Sequence, residues 1–183
     1  MTTTYVVLLR GINVGGKNKM PMAELTLFLQ EQGFTDVATY IQSGNVILRS
    51  DLDAPTVQQK IEEGLPGRFV LDSPIVKALV LSRTQLRTVI ENRPPGFGDE
   101  PDTYHSDAIF LMGIDAARAM PIFKPREGVD TVWAGEGVIY SQRLSALRTK
   151  SRLSAAISSP LYKSMTIRNW QTTTRLCEML GDA

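Results

Sequence analysis

Between strand-like and helix-like patterns the chain reads Arg10-Gly11-Ile12-Asn13-Val14-Gly15-Gly16-Lys17. Three glycines free the backbone to turn its N–H groups outward. Arg10, Lys17 and Lys19 bring positive charge beside them, and a helix pattern opens at Pro21. Exposed N–H groups, a helix N-terminus and nearby cations together suit an anion such as phosphate. Gly11 and Gly16 carry the glycine spacing of a phosphate-binding P-loop, but Asn18 follows Lys17, so the hydroxyl that would hold Mg²⁺ is missing. The dinucleotide pattern G-x-G-x-x-G is absent too. The plainer reading is that Gly11, Gly15 and Gly16 simply make a difficult turn.

Other residues of chemical interest fall elsewhere. Gln42, Ser43 and Asn45 surround Gly44 at a tight hairpin, where they could hydrogen-bond a ligand or serve the turn itself. Arg168, Asn169 and Trp170 lie in a segment rich in positive charge. There Trp170 could stack on a base or sugar, although anchoring the last helix is the favoured role. His105 is the only histidine, near Asp102 and Asp107. With no second histidine, neither a metal cluster nor a Cys–His pair is expected, and no cofactor is implied. Cys177 sits among Leu176, Met179 and Leu180 and reads as a core thiol. No G-x-S-x-G elbow points to serine catalysis.

The 183 residues are 43% hydrophobic and 21% charged, enough to build a core in one domain or two small ones. Net charge is +1, which alone implies no polyanionic partner. The distribution is uneven. Residues 51–136 carry nine basic and fourteen acidic side chains, whereas residues 137–177 carry seven basic and none acidic. The single cysteine allows no intrachain disulfide. Arg10 interrupts the first apolar run, no signal peptide is evident, and no stretch approaches a bilayer span. A cytoplasmic, non-membrane protein is the expectation.

The elements that must position these residues follow from periodicity. Tyr5–Leu9 is an apolar strand. A helix follows Pro21, with Met22, Leu25, Phe28 and Leu29 on one face. Strands over Val37–Gln42 and Asn45–Arg49 flank Ser43-Gly44. Asp53 caps a helix buried through Val57, Ile61 and Leu65, and Ile75–Leu81 is a strand. Ser82-Arg83-Thr84-Gln85 is a capping box for a helix carrying Leu86, Val89 and Ile90. The order is β-α-β-β-α-β, a ferredoxin-like plait.

The Pro- and Gly-rich segment from Arg93 to Pro101 reads as a loop or linker. Beyond it come a strand over Asp107–Gly113, a short helical turn over Ile114–Met120 and a hairpin across Gly135-Glu136-Gly137. A helix over Lys150–Ser158, with Leu153, Ala156 and Ile157 inward, precedes a last strand over Met165–Ile167. Asn169 caps the closing helix, whose Leu176, Cys177 and Leu180 face inward. The second half repeats the first, so an internal duplication is expected: halves over 1–93 and 104–183, with a linker over 94–103. Within the first plait, the loop after the first strand and the Ser43-Gly44 hairpin are expected at opposite ends of the sheet.

The run Leu9-Arg10-Gly11-Ile12-Asn13-Val14-Gly15-Gly16, then Met22-x-x-Leu25, then Gly33-Phe34, then Thr39-Tyr40-Ile41-Gln42-Ser43-Gly44-Asn45-Val46, resembles the signature of a bacterial family, domain of unknown function 1697. Thr166-Ile167-Arg168-Asn169-Trp170-Gln171-Thr172 is similar to its second motif. The resemblance implies an α+β fold of two plait-like halves in a bacterial protein and brings no established activity. Small-molecule anion binding is the leading expectation, with a phosphorylated ligand held by Arg10, Asn13, Gly15, Gly16 and Lys17 and secondary donors at Arg168 and Asn169. Nucleic-acid binding by the basic C-terminal third is the second reading. A structural or oligomeric module without ligand is the third.

Overall fold

The computed structural model describes residues 1–73 and 76–181. The protein is mixed α/β, with two four-stranded antiparallel sheets. It divides into two compact units, Met1–Arg87 with Leu176–Ala183, and Thr88–Arg175. The segment expected as a linker lies within the second unit, and the final stretch of chain belongs with the first.

In the first unit, the apolar run after Thr2 forms β1 (Thr3–Arg10), followed by α1 (Met22–Glu31), β2 (Thr35–Tyr40), β3 (Asn45–Ser50), α2 (Ala54–Arg68) and β4 (Lys77–Ser82). The expected start of β4 at Ile75 lies outside the described residues. The sheet order is β2-β3-β1-β4. Tyr5, Val7 and Leu9 alternate onto one face with Val46, Leu48, Ala78 and Val80. Leu25, Phe28 and Leu29 of α1 and Val57, Ile61 and Leu65 of α2 cover them. Each such side chain, fully buried, contributes about 1.5–3 kcal/mol. The intervening Val6 and Leu8 are buried as well, so an uninterrupted apolar run, rather than an alternating one, is what this central strand needs. The start of α2 is set by the Asp53 carboxylate, which accepts from the Thr56 N–H at 3.0 Å and is held below the usual carboxylate range by the Thr56 side-chain and backbone hydrogen bonds.

Both β1 and β2 pair antiparallel with β3. They therefore run parallel to each other, and their C-terminal ends share one edge of the sheet. This overturns the expectation that the loop after β1 and the β2–β3 turn lie at opposite ends. Counting strand reversals along the chain misses that the α1 crossover restores the direction of β1 in β2.

Helix α3 (Arg83–Glu91) opens on a reciprocal capping box. The Ser82 N–H donates to Gln85 Oε1 at 2.8 Å, and the Gln85 N–H donates to Ser82 Oγ at 3.2 Å. The second unit then runs β5 (Tyr104–Leu111), α4 (Ala116–Ala119), β6 (Asp130–Ala134), β7 (Val138–Leu144) and β8 (Met165–Asn169), leading into α5 (Trp170–Met179). Its sheet order is β6-β7-β5-β8. One face carries Ile109, Leu111, Ile139 and Met165 under Ala119, Phe123 and Ala156. The other face carries Tyr140, which meets Phe97 edge-on at 5.3 Å and donates to the Val89 carbonyl at 2.6 Å. Burial pushes the Tyr140 hydroxyl up to about 12.

Two expectations fail here. In place of the helix over Lys150–Ser158 stand two 3-10 turns, Ser145–Lys150 and Leu153–Ser158, and a third, Pro160–Ser164, follows. Ser151 is extended at φ −62° and ψ 143°, and its hydroxyl accepts from the Leu153 N–H at 3.3 Å. Ser158 Oγ donates back to the Ala155 carbonyl at 2.8 Å. Serine side chains bonding to the local backbone compete with α-helix, and Pro160 prevents continuation. Ala156 is buried, but Ile157, expected inward, is 58% exposed. The Pro- and Gly-rich segment is irregular, as read, and Phe97 within it is 1% exposed and packs against Tyr140 and Trp170 of the second unit.

Candidate functional site

The edge of the first unit where β1 and β2 end is built by the two glycine loops. Val14 to Lys17 is a two-residue hairpin turn: the Lys17 N–H donates to the Val14 carbonyl at 3.0 Å, and the Asn13 N–H to the Asn18 carbonyl at 3.1 Å. Gly15 and Gly16 occupy its two central positions with φ of +58° and +75°, the conformation such hairpins demand. Both are exposed, with open space above them. Val14, Lys17 and Lys19 are exposed around the tip.

Two asparagines hold this hairpin in place. Asn13 donates from Nδ2 to the carbonyls of Met20, at 3.0 Å, and Gln42, at 2.8 Å, and accepts from the Met20 N–H at 2.7 Å. Asn18 is 3% exposed. It donates to the Gly11 carbonyl at 2.7 Å and accepts the Asp72 and Ser73 N–H groups at 2.7 and 3.1 Å. Both sit at positive φ, which asparagine tolerates better than most residues. Asn13 was expected to meet a ligand, yet its amide is occupied by the chain.

The β2–β3 turn completes the edge. The Leu9 N–H donates to the Gly44 carbonyl at 2.8 Å. Gly44 has φ +81°, and a Cβ there would lie 2.7 Å from Ile12 Cδ1 and 2.9 Å from Leu9 Cβ. Asn45, fully buried, donates to the Tyr40 carbonyl at 2.9 Å and to Ser43 Oγ at 2.8 Å. Ile41 has φ +50°, a conformation that costs about 1–2 kcal/mol for a side chain with a Cβ. Arg10 ends β1 opposite Lys77 on β4. The edge thus carries Arg10 and Lys77 at the strand ends, the exposed Gly15, Gly16, Lys17 and Lys19 of the hairpin, and the polar turn residues Gln42 and Ser43.

In the second unit, Arg168, Asn169 and Trp170 separate by role. Arg168 is 8% exposed and donates from Nη1 to Thr166 Oγ1 at 3.1 Å and the Ile167 carbonyl at 2.9 Å. Burial brings its guanidinium down to about 10. Asn169 Oδ1 caps α5 through the Thr172 N–H at 2.7 Å. Trp170, 7% exposed, lies edge-on to Phe97 at 5.0 Å and to Tyr140 at 6.2 Å. All three are tied into the fold of their own unit by these contacts.

On the same sheet the neighbours His105 and Asp107 are joined by Arg143 and Asp130, which the sequence reading did not connect to them. His105 Nε2 lies 3.0 Å from the Asp107 carboxylate. Arg143 of β7 stands opposite His105 on one side and Asp130 of β6 on the other. Burial pushes the Asp107 carboxyl up, against the pull of His105 and Arg143. Burial acts on Asp130 as well, but the Arg152 N–H, Ser151, the Arg126 N–H and the Arg143 charge outweigh it and hold that carboxyl below the ordinary range. Arg143 Nε and Asp130 Oδ1 are buried without a hydrogen-bond partner among the described residues. Period-two alternation puts His105, Asp107 and Ile109 on one face of β5. Arg143 joins them only through the β5–β7 register, which no local pattern reveals.

Among the described residues, no group of three or more His, Cys, Asp or Glu side chains could hold a metal ion, and no helix is long and apolar enough to cross a membrane.

Comparisons with known proteins place this arrangement in a family. A solved structure titled as that of the conserved bacterial protein SP0830 from Streptococcus pneumoniae is 27% identical, with a TM-score of 0.80 over 98% of this chain and 99% of that one. No functionally curated protein matches. The sequence profile of the family described as "Protein of unknown function (DUF1697)" matches residues 1–140, the span that contains both glycine loops and the edge they build. By that match the chain belongs to the DUF1697 family.

Proposed function

We propose that the protein binds a small phosphorylated molecule at the edge of its first unit, in the cytoplasm. The observation that carries this reading is the adjacency of the two glycine loops, joined by the Asn13–Gln42 and Leu9–Gly44 hydrogen bonds. Clamping by Asn13 and Asn18 gives the exposed Gly15 and Gly16 a fixed geometry, so little ordering cost falls on binding. Arg10 and Lys17, joined by Lys19 and Lys77, supply the charge that a phosphate needs. In this reading Asn13 is a clamp, and the turn residues Gln42 and Ser43 are the neutral donors. Arg168 and Asn169 serve the second unit rather than the ligand.

We further propose that each unit is a ferredoxin-like plait and that the two arose by internal duplication, with the repeat boundary in the 94–103 loop. The equivalent strand orders, β2-β3-β1-β4 and β6-β7-β5-β8, support this.

Thermal-shift measurements with inorganic phosphate, sugar phosphates and nucleotides test the ligand. A bound ligand raises the melting temperature by mass action. The rise should vanish in Lys17→Ala and Arg10→Ala proteins that keep the wild-type circular dichroism spectrum. No shift with any phosphate, or a shift unchanged by both substitutions, overturns the reading. Steeply salt-dependent binding of a fluorescent oligonucleotide would favour a nucleic-acid function instead.

A further inference from the structure

The helical face of the second sheet holds a cavity of about 140 Å³, lined by Asp107, Ser141 and Arg143 at one end and by apolar side chains including Ile109, Ile157 and Ile167 at the other. The split follows from the register. Asp107 stands opposite Ser141 and Asn169, while Ile109, two residues along β5, stands opposite Ile139 and Ile167. One step along the strand, about 7 Å, therefore carries the floor from charged to hydrocarbon.

The charged end presents both signs. Arg143 is a diagonal neighbour of Asp107 across β5 and β7, since its direct partner is His105. Diagonal Cβ atoms lie up to about 7–8 Å apart, so the two head groups can receive a small dipolar group between them. Neither side chain is fully engaged by the chain. Arg143 Nε has no hydrogen-bond partner among the described residues, and the Asp107 carboxylate, which pairs with His105, keeps further lone pairs for a donor. A free monocarboxylate would add a negative charge beside Asp107 and Asp130. A free amine would meet Arg143. A zwitterion satisfies both, with its carboxylate toward Arg143 and its ammonium toward Asp107. The remaining volume, walled by Ile109, Ile157 and Ile167, suits a short branched hydrocarbon.

We propose that this cavity binds a free α-amino acid with a branched aliphatic side chain. The carboxylate pairs with the Arg143 guanidinium and the Ser141 hydroxyl, the ammonium pairs with Asp107, and the side chain rests on Ile109 and Ile167. Ligand charge is then zero overall, and the net charge of the site is unchanged on binding. The site is independent of the phosphate reading, since it uses no residue of the first unit.

Isothermal titration of the full chain tests this with L-leucine and L-valine as probes. 4-Methylpentanoate, which lacks the ammonium, and 3-methylbutylamine, which lacks the carboxylate, are the comparisons. Saturable binding of at least one amino acid is expected, with both analogues at least tenfold weaker. Asp107→Asn should lose the preference for the amino acid over 4-methylpentanoate, and Ile167→Trp, which fills the apolar end, should weaken both. The inference is overturned if neither amino acid binds at millimolar concentration, or if either analogue binds as well as its parent. These comparisons are made on the unaltered protein, so a variant that misfolds does not remove the test.

Discussion

Replacing Gly44 by alanine tests whether the shared edge of the first unit is held by close backbone approach. The added Cβ would stand 2.7 Å from Ile12 Cδ1 and 2.9 Å from Leu9 Cβ. The Ile12 methyl can swing away. The Leu9 Cβ cannot, because it is fixed to a central strand whose N–H donates to the Gly44 carbonyl at 2.8 Å. The left-handed φ of +81° adds about 1 kcal/mol for a residue with a side chain, and overpacking adds about 1–3 kcal/mol. The sum is about 2–4 kcal/mol. Gly15→Ala is the matched control, with a similar φ of +58° and nothing within 4 Å of its Cβ; it should cost only the conformational part, about 1 kcal/mol. Both tryptophans, Trp133 and Trp170, lie in the second unit, so fluorescence would not report directly on the first. Native-state hydrogen exchange at β1 and β3 amides reads the opening free energy where it matters. If Gly44→Ala loses no more than Gly15→Ala, the turn does not rest against Leu9 as described, and the edge lacks the rigidity on which the proposed phosphate site depends.

Three further outcomes follow from the same contacts. Asn18→Ala strips partners from the Gly11 carbonyl and the Asp72 and Ser73 N–H groups; it should cost about 2–4 kcal/mol and speed exchange at those amides. A Cβ at Gly98 would overlap the Trp170 indole, and its φ is +79°, so Gly98→Ala should lower the melting temperature and shift tryptophan emission to the red. Asp107→Asn should stabilise the protein at neutral pH. Burial raises the folded-state pKa of Asp107, so its contribution is fully present below the ordinary value of 3.8 and is lost as pH rises through the raised value. Melting temperatures of variant and wild type should therefore converge in acid; a gap that persists at low pH would mean the effect is not ionisation.

Much of the architecture was legible because local rules and burial agree. The Pro21 start, the Leu25–Phe28–Leu29 stripe, the Asp53 cap and the Ser82–Gln85 box are each decided by residues within one or two turns. What was illegible depended on pairing at a distance. The meeting of the glycine loops requires knowing that β1 and β2 run parallel. The joining of Arg143 to His105 and Asp107 requires the β5–β7 register. The burial of Phe97 was hidden by its proline- and glycine-rich neighbours, which mark a loop but say nothing of where one aromatic within it packs. The failed helix over Lys150–Ser158 has a local cause that was visible but outweighed: its apolar spacing suggested a face, while its serines favoured turns.

The first unit includes the chain from Leu176 onward, and Arg83 Nη2 donates to the Leu180 carbonyl at 2.7 Å. During synthesis, its strands and both glycine loops leave the ribosome long before that partner exists. Of the two units, the one whose strands emerge earlier is therefore completed later. Until translation has passed Leu180, it presents an Arg83 guanidinium without this acceptor, a condition a nascent chain must survive and a truncated one never escapes.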